Sequence, residues 1–364
     1  MTGGGVSGDV RRAVRAQFAA WAEVYTPGIS PLYEALSRIV ADHDELVDLA
    51  AGVRPGQPVP NMLFGAVHMV LLDGEADPQL GRFYPGLGGS DGPDAPGLEA
   101  AFLGFCRKHR DRLAEIIGTR VTNTNEVQRC ACLMPAFVEV SRAFRGAPFH
   151  LVEIGPSAGL NLLWDRYAYR YTADDGALLS VGEEREDGLV LRCALRGEGR
   201  PALDGPWPPA LSSRLGIERN PVDLTDPDER MWLRALIWPE HLERAQRLER
   251  ALKLAAAGPP PVRQGDALEL LPGILDALPQ GEPVCVEHSF VLPQFTPEQR
   301  DRLGAQLAEA AANRPVLRIG YESQADRQEA VLFLEDAGRG ALRRLAFCES
   351  HGAWLEWRLT SHGR

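Results

Sequence analysis

The sequence predicts an α/β chain with a helical first third, a mostly parallel sheet after it, and an antiparallel strand at the C-terminal end. Three observations carry this. Up to about position 147 apolar residues recur at spacings of three and four, with no convincing alternating run. From Phe149 onward, short apolar runs ended by glycine alternate with helical periods, as parallel α/β units do. Near the C-terminus the apolar runs follow one another without helices between them, which suits antiparallel strands.

The elements follow in order. Val14, Phe18, Trp21, Ala22 and Tyr25 mark one helical face, which Pro27, Gly28 and Pro31 interrupt. Leu32, Leu36, Ile39, Val40, Val47 and Ala50 continue the period. Asn61 to Leu72 is apolar nearly all round and reads as a buried helix. A Gly/Pro/Asp loop from Gly86 to Pro96 precedes a helix marked by Leu98, Phe102, Phe105, Leu113 and Ile116. The last helix of this part runs from Asn125 to Phe144, kinked near Pro135. Phe149–Ile154 then reads as a buried strand, with a helix expected from Ala158. Residues 172–220, rich in Gly, Pro, Arg and Glu, read as an insertion with short strands at Leu178–Val181 and Leu189–Leu195. Pro239 to Ala257 is helical, with Leu242, Ala245, Leu248 and Leu252 on one face. Strands are expected at Val262–Gly265, Val284–Val286, Pro315–Gly320, Ala330–Leu334, Arg343–Cys348 and Trp354–Leu359. Thr296-Pro297-Glu298-Gln299 is a capping box that opens a helix through Leu303 and Leu307. The expected domains are a helical N-terminal cap over 1–147 and an α/β domain over 148–364.

Composition limits the function. A formal net charge of −11 over 364 residues argues against partners that need a basic surface, nucleic acid and anionic membrane alike. All but two of the 39 basic residues are arginine, Lys108 and Lys253 being the exceptions, an excess best read as compositional. The six cysteines form no Cys-x-x-Cys pair, and no His/Cys/Asp cluster has metal-ligand spacing, so no metal is expected. The N-terminus lacks an apolar signal region and no apolar run is long enough to span a bilayer, which points to a reducing cytoplasm.

The segment richest in chemistry is Glu153-Ile154-Gly155-Pro156-Ser157-Ala158-Gly159-Leu160-Asn161, a strand, a glycine turn and a helix start. Glycines let the backbone approach a ligand, and a helix N-terminus offers free N–H groups. The pattern resembles the nucleotide-binding turn of class I S-adenosylmethionine-dependent enzymes, an apolar strand with an acid followed by spaced glycines. The resemblance implies that Glu153 meets the cofactor ammonium and that Gly155, Ser157, Gly159 and Asn161 line the turn. Gly155-Pro156-Ser157-Ala158-Gly159 is also Gly-x-Ser-x-Gly, so a nucleophile elbow with Ser157 attacking, served by His288 or His351, stays open. A tight strand–helix turn without any ligand is the bland alternative. The helical 148 residues upstream and the acid at Glu153 favour the first reading.

Further segments are similar to the same class in order. Val262-Arg263-Gln264-Gly265-Asp266-Ala267 resembles its third-strand turn, which implies Asp266 and Ala267 at the adenine. Pro283-Val284-Cys285-Val286-Glu287-His288 lies where the fourth strand delivers active-site residues, implying Glu287 near the cofactor. Pro239–Ala245 resembles the helix after the second strand; that alignment puts Leu236 where an acid for the ribose is expected and leaves Glu240 or the insertion to supply one. Beyond the fold, Thr124–Arg129, Glu153–Asn161 with Trp164–Tyr167, Pro221–Asp226, Trp232–Pro239 and His351–Leu355 resemble the bacterial family called domain of unknown function 2332, over nearly the whole chain. That likeness implies a Rossmann-like, class I methyltransferase-like fold, and no particular reaction.

The remaining candidates follow from residue chemistry. Arg120, Asn123, Asn125, Glu126 and Arg129 form a polar set at a helix start: the arginines suit a substrate carboxylate, Asn125 and Glu126 an amine. The alternative is a capping turn with solvated arginines. His288, after the central strand, suits a general base or a hydrogen-bonded sheet-end histidine. Trp164, Tyr169 and Trp238 suit either an aromatic cage for a sulfonium or plain core. The sequence thus predicts an adenosylmethionine-dependent methyl transfer to a small polar acceptor, catalysed by His288, Glu126 and Asn125, with Arg120, Asn123, Arg129, Tyr169 and Trp238 at the substrate. The same cofactor used for aminocarboxypropyl transfer, a non-catalytic nucleotide binder and a serine hydrolase through Ser157 are the alternatives.

Overall fold

The computed structural model describes residues 6–74, 77–324 and 329–358. They fall into two compact units, Met1–Thr124 with Thr225–Gln246, and Asn125–Leu224 with Arg247–Arg364. The boundary expected at 147/148 lies inside the second unit, and the first unit also takes a later segment of the chain.

Among its described residues the first unit has helices joined by turns and no strand. Its helices are α1 (Gly8–Ala20), α2 (Pro31–Asp42), α3 (Asp44–Ala50), α4 (Val59–Leu72), α5 (Pro78–Gly81), α6 (Leu98–Lys108) and α7 (Arg110–Thr119). The later segment adds the helix Pro227–Ala235 and the start of Leu242–Ala256. α4 is buried nearly all round, as its unbroken apolar sequence requires. Gly65 is where the helix Pro227–Ala235 crosses it: a Cβ there would sit 3.0 Å from the Trp232 ring. Trp232 in turn donates its indole N–H to Val121 O at 2.8 Å. Glu240 accepts from Ser30 Oγ at 2.7 Å and Leu32 N at 3.0 Å, locking the start of α2.

The second unit is built on an 11-stranded sheet. In chain order it contains the helix α8 (Cys130–Ala143), then β1 (Phe149–Ile154), β2 (Ala168–Ala173), β3 (Leu178–Val181), β4 (Val190–Leu195), β5 (Leu211–Glu218), β6 (Val262–Gln264), β7 (Val284–Ser289), β8 (Val316–Ser323), β9 (Ala330–Asp336), β10 (Ala341–Cys348) and β11 (Trp354–Trp357). Numbering the two helices of the later segment α9 and α10, the remaining two are α11 (Ala267–Ala277) and α12 (Pro297–Ala311). The sheet order is β3-β2-β4-β11-β10-β9-β8-β7-β1-β5-β6. Strands β6, β5, β1, β7 and β8 are mutually parallel. The order therefore reverses between β1 and β7, the place where open parallel sheets bind ligands at the carboxyl ends of their strands. An antiparallel meander through β9, β10 and β11 continues the sheet.

Most expected strands are present within a residue or two, and the capping box at Thr296 forms with both hydrogen bonds. Two readings are corrected. The segment taken as an insertion supplies four sheet strands wholly or in part, and one of them, β5, pairs directly with β1. The residues after Ala158 form a 3-10 run, Leu160–Arg166, in place of an α-helix. The strand-rich C-terminal end is antiparallel as expected; of its last expected strand, Leu359 lies outside the described residues.

Alternation along the parallel strands separates two faces. Val152, Ile154, Val284, Val286 and Val316 pack with Leu268 and Leu271 of α11 and Leu303 and Leu307 of α12. Leu151, Glu153, Cys285 and Glu287 belong to the other face. α8 packs against β4, β8 and β9, and Tyr171 of β2 donates to Ala131 O at 2.7 Å.

In the helical unit His68 on α4 is buried and lies 3.1 Å through Nδ1 from Ala235 O. Burial pulls its pKa down to about 4, against backbone hydrogen bonds to Ala235 and Ile237 that pull it up. The folded state therefore resists a proton that the unfolded chain accepts below about pH 6.5. The expected outcome is stability that is full above pH 6.5 and falls by up to about 1.4 kcal/mol per unit towards pH 4. Urea unfolding across that window checks this, with a flatter profile for His68→Leu.

Candidate functional site

The site is assembled by one turn and three strand ends. β1 runs into Gly155 (φ 71°), Ser157 (φ 58°) and Gly159 (φ 74°). Left-handed backbone suits glycine, whereas Ser157 holds it at a cost of about 1–2 kcal/mol. Packing demands the glycines as well: a Cβ on Gly155 would lie 2.7 Å from Val291, and one on Gly159 2.8 Å from Pro260. The turn is tied from two sides. Glu218, at the carboxyl end of β5, accepts the Ser157 N–H at 3.1 Å and the Asn220 N–H at 3.1 Å. Asn125 Oδ1 accepts the Leu160 N–H at 3.0 Å, while its Nδ2 donates to Asn161 Oδ1 at 3.3 Å.

Glu153 and Glu287 stand opposite each other in the β1–β7 register, each 2% exposed. Burial, then the Glu218 charge, pushes the Glu153 carboxyl up to about 8, with Arg129 opposing. Burial, then Glu153 and Glu322, pushes Glu287 well above the usual carboxylate range, again against Arg129. Arg129 itself donates to Ser350 O at 3.0 Å and lies 4.1 Å over the Phe290 ring.

His288, the next-to-last residue of β7, has no exposed surface. Its Nδ1 is 2.6 Å from Glu322 Oε1, which also accepts the Val291 N–H at 3.1 Å. A carboxylate at Nδ1 places the ring proton there and leaves Nε2 as the lone-pair nitrogen. Gly320 makes room for the ring, since a Cβ on it would meet Phe333 at 2.2 Å and His288 at 2.9 Å. Around these strand ends the buried atoms Ser157 Oγ, Glu287 Oε1, His288 Nε2 and Glu322 Oε2 have no hydrogen-bond partner. Buried polar atoms are satisfied in the great majority of cases, so each such atom calls for a reason. Among the described residues no group of three or more His, Cys, Asp or Glu side chains is arranged to hold a metal ion.

The family model for an uncharacterized protein conserved in bacteria matches residues 15–357. The chain belongs to that bacterial family, DUF2332. No curated protein matches the chain. Several segments that resembled the family do structural work. Asp165 takes Arg214 of β5 bidentately at 2.6 Å on both oxygens. Tyr167 donates to Leu160 O at 2.6 Å, and Asp226 caps α9 by accepting the Asp228 N–H at 2.8 Å. Glu349 holds the turn containing His351 by accepting the His351 and Ala353 N–H groups.

The expected site residues divide. Glu153, Gly155, Ser157, Gly159, Asn161, Asn125, Glu126, Arg129, Glu287 and His288 all lie in the sheet unit, at or next to the strand ends just described. Glu126 is buried and accepts the Gln128 N–H through Oε1 at 3.2 Å, a capping role. Arg120, Asn123 and Trp238 belong to the helical unit. There Arg120 is paired with Glu229 at 2.6 Å, and Trp238 stacks on His241 beside Trp21 and Tyr33. Tyr169 and Trp164 are fully buried, Tyr169 donating to Trp164 O at 2.6 Å and Trp164 stacking on Phe137. Both rings are packed in the core, the second of the two readings given to them, and the Trp164 Nε1 has no hydrogen-bond partner. Asp266 caps α11 through Leu268 N–H at 2.8 Å and pairs with Arg219 at 2.5 Å, with Ala267 as the first residue of that helix.

Sequence reasoning missed Glu218 and Glu322. The acid after the second strand was left to Glu240 or to an unnamed residue of the insertion, and Glu218 was not singled out because β5 was not recognised. The acid ending the strand beside β1 is Glu218, whereas Glu240 holds α2 in the helical unit. The available signal was Gly216-Ile217-Glu218, which repeats the apolar-then-acid ending of β1.

Asn125 makes a local test. Asn125→Ala strands the Leu160 N–H, so a loss of about 1–3 kcal/mol is expected in denaturant unfolding. Asn125→Asp retains an acceptor at that position and should recover part of the loss.

Proposed function

We propose that the chain is an S-adenosylmethionine-dependent transferase acting on a small polar acceptor. The observation that carries the reading is the set of unsatisfied buried polar atoms at the reversal point of the parallel strands, beside a left-handed glycine turn. The donor set fits the cofactor's chemistry. Carboxyls outnumber cations there, which suits a ligand bearing an ammonium and a sulfonium, and Glu218 ends the neighbouring strand where an acid can meet ribose hydroxyls. Asp266 fits less closely, since one of its oxygens caps α11 and the other holds Arg219.

When bound, the cofactor supplies an electrophilic carbon attached to positively charged sulfur. The protein's own residues account for the rest. Glu153 accepts the ammonium N–H groups. Glu218 holds the Ser157 amide with one oxygen and keeps lone pairs for hydroxyl donors. His288, oriented by Glu322 at Nδ1, receives the acceptor's proton at Nε2. Positioning supplies most of the acceleration expected for such a transfer.

One observation favours a second reading. Ser157 is a non-glycine residue in left-handed backbone with an unpartnered buried Oγ, as a nucleophile elbow requires. Against it, neither Ser157 Oγ nor His288 Nε2 has a hydrogen-bond partner, so the two do not form a nucleophile–base pair.

Calorimetric titration with S-adenosylmethionine and S-adenosylhomocysteine tests the proposal. Binding is expected, weakened roughly 10- to 150-fold by Glu153→Gln or Glu218→Gln, the range for a lost hydrogen bond to a charged group. Absence of binding rejects it, and labelling of Ser157 by a fluorophosphonate then supports the hydrolase. Turnover to adenosylhomocysteine marks methyl transfer, and turnover to methylthioadenosine marks aminocarboxypropyl transfer. Binding without turnover marks a sensor.

A further inference from the structure

We propose that Glu153 and Glu287 together form one seat for a cation, a primary ammonium or a sulfonium, and that a single proton held by the pair fills this seat in the ligand-free protein. The seat deepens the transferase reading and rests on it for the cation used in the test.

The geometry comes first. The two residues are direct register partners on adjacent parallel strands, which run about 4.8 Å apart, and their side chains share one face. Both are almost completely buried, and Glu287 Oε1 has no hydrogen-bond partner. Two carboxylates this close, away from water, cannot both ionise unless cations compensate them.

The charge count decides the rest. The charged groups that act on the pair are Arg129 ahead of α8, Glu218 from β5 and Glu322 from β8, with Cys130 and the buried Glu126 beside them, Glu126 engaged by the Gln128 N–H. The Cys130 thiol, pushed well above its ordinary range by burial, is neutral. Glu218 is engaged by the Ser157 and Asn220 N–H groups, and Glu322 by His288 and the Val291 N–H. Arg129 thus offsets one negative charge of the pair, and the second carboxyl keeps its proton. A ligand cation entering between the carboxyls takes over that compensation. The carboxyl O–H bond breaks, its proton passes to buffer, and the electron pair stays on the carboxylate.

The sign of the pH dependence follows. The ligand-free protein holds one more proton than the complex, so affinity rises with pH until the free pair ionises, near pH 8 for Glu153. Between about pH 5 and 6.5, more than a unit below the ordinary α-amino value of about 7.7–8.0, the ligand's amino group stays charged, so the change belongs to the protein.

The experiment is calorimetry of S-adenosylmethionine binding in two buffers of different ionisation enthalpy, together with infrared spectra of the ligand-free protein. The expected result is about one proton released per ligand and a Kd that falls about tenfold per pH unit over that range. A protonated-carboxyl band should be present at neutral pH and lost when S-adenosylmethionine binds, and Glu287→Gln should weaken that binding. Binding without proton release overturns the seat and leaves the transferase reading intact. Absence of the infrared band overturns the seat whether or not the ligand binds. Failure to bind at every pH overturns the transferase reading and, with it, the cation assignment. The wild-type arms stand even if Glu287→Gln fails to fold.

Discussion

Two acids on neighbouring central strands set the terms for the rest of the sheet unit. A parallel strand covered on both faces is ordinarily apolar along its length. β1 and β7 break that rule towards their carboxyl ends, where Glu153 and Glu287 meet in register. Burying either carboxylate is costly, and burying both with a single guanidinium nearby is costlier still. The surroundings are arranged around that cost. Arg129 is held by Ser350 O and the Phe290 ring, and Glu322 is committed to His288. A fold that needed only a core would gain stability from valine at both positions, so the acids argue for chemistry at this point.

The glycine turn serves two masters, and this tempers how it is read. Gly155 and Gly159 are required by Val291 and Pro260 whether or not a ligand visits. The spacing of glycines that resembles a nucleotide-binding turn therefore has a sufficient explanation in close packing. What packing leaves unexplained is the serine between them, left-handed with a buried and unpartnered hydroxyl. The functional weight rests on the polar atoms around the turn more than on the glycines within it.

Legibility varied with how much each element owed to its own residues. Phe149–Ile154, Val284–Val286 and the capping box at Thr296 were visible because local pattern and burial agree there. β5 was not visible. Its sequence, Leu-Ser-Ser-Arg-Leu-Gly-Ile-Glu, is half exposed at its start, and it qualifies as a strand through its pairing with β1 and β6. Missing β5 left its acid open between Glu240, a residue of the helical unit, and the whole insertion, with no reason to single out Glu218. Tyr169 and Trp164 show the converse limit: the sequence leaves an aromatic cage and plain core both open, and packing is what places the two rings in the core.

By itself the sequence determined the helical first third, the change to strands at Phe149, the acid–glycine turn and the family to which the chain belongs. These are local properties, carried by periodicity, capping and short motifs. The tertiary structure alone decided which acids meet. Glu153 and Glu287 are 134 positions apart, Glu218 belongs to a strand with little pattern of its own, and Glu322 reaches His288 from the next strand over. Register between strands sets those pairings, and register follows from packing and hydrogen bonding across the whole sheet, which no window of sequence contains.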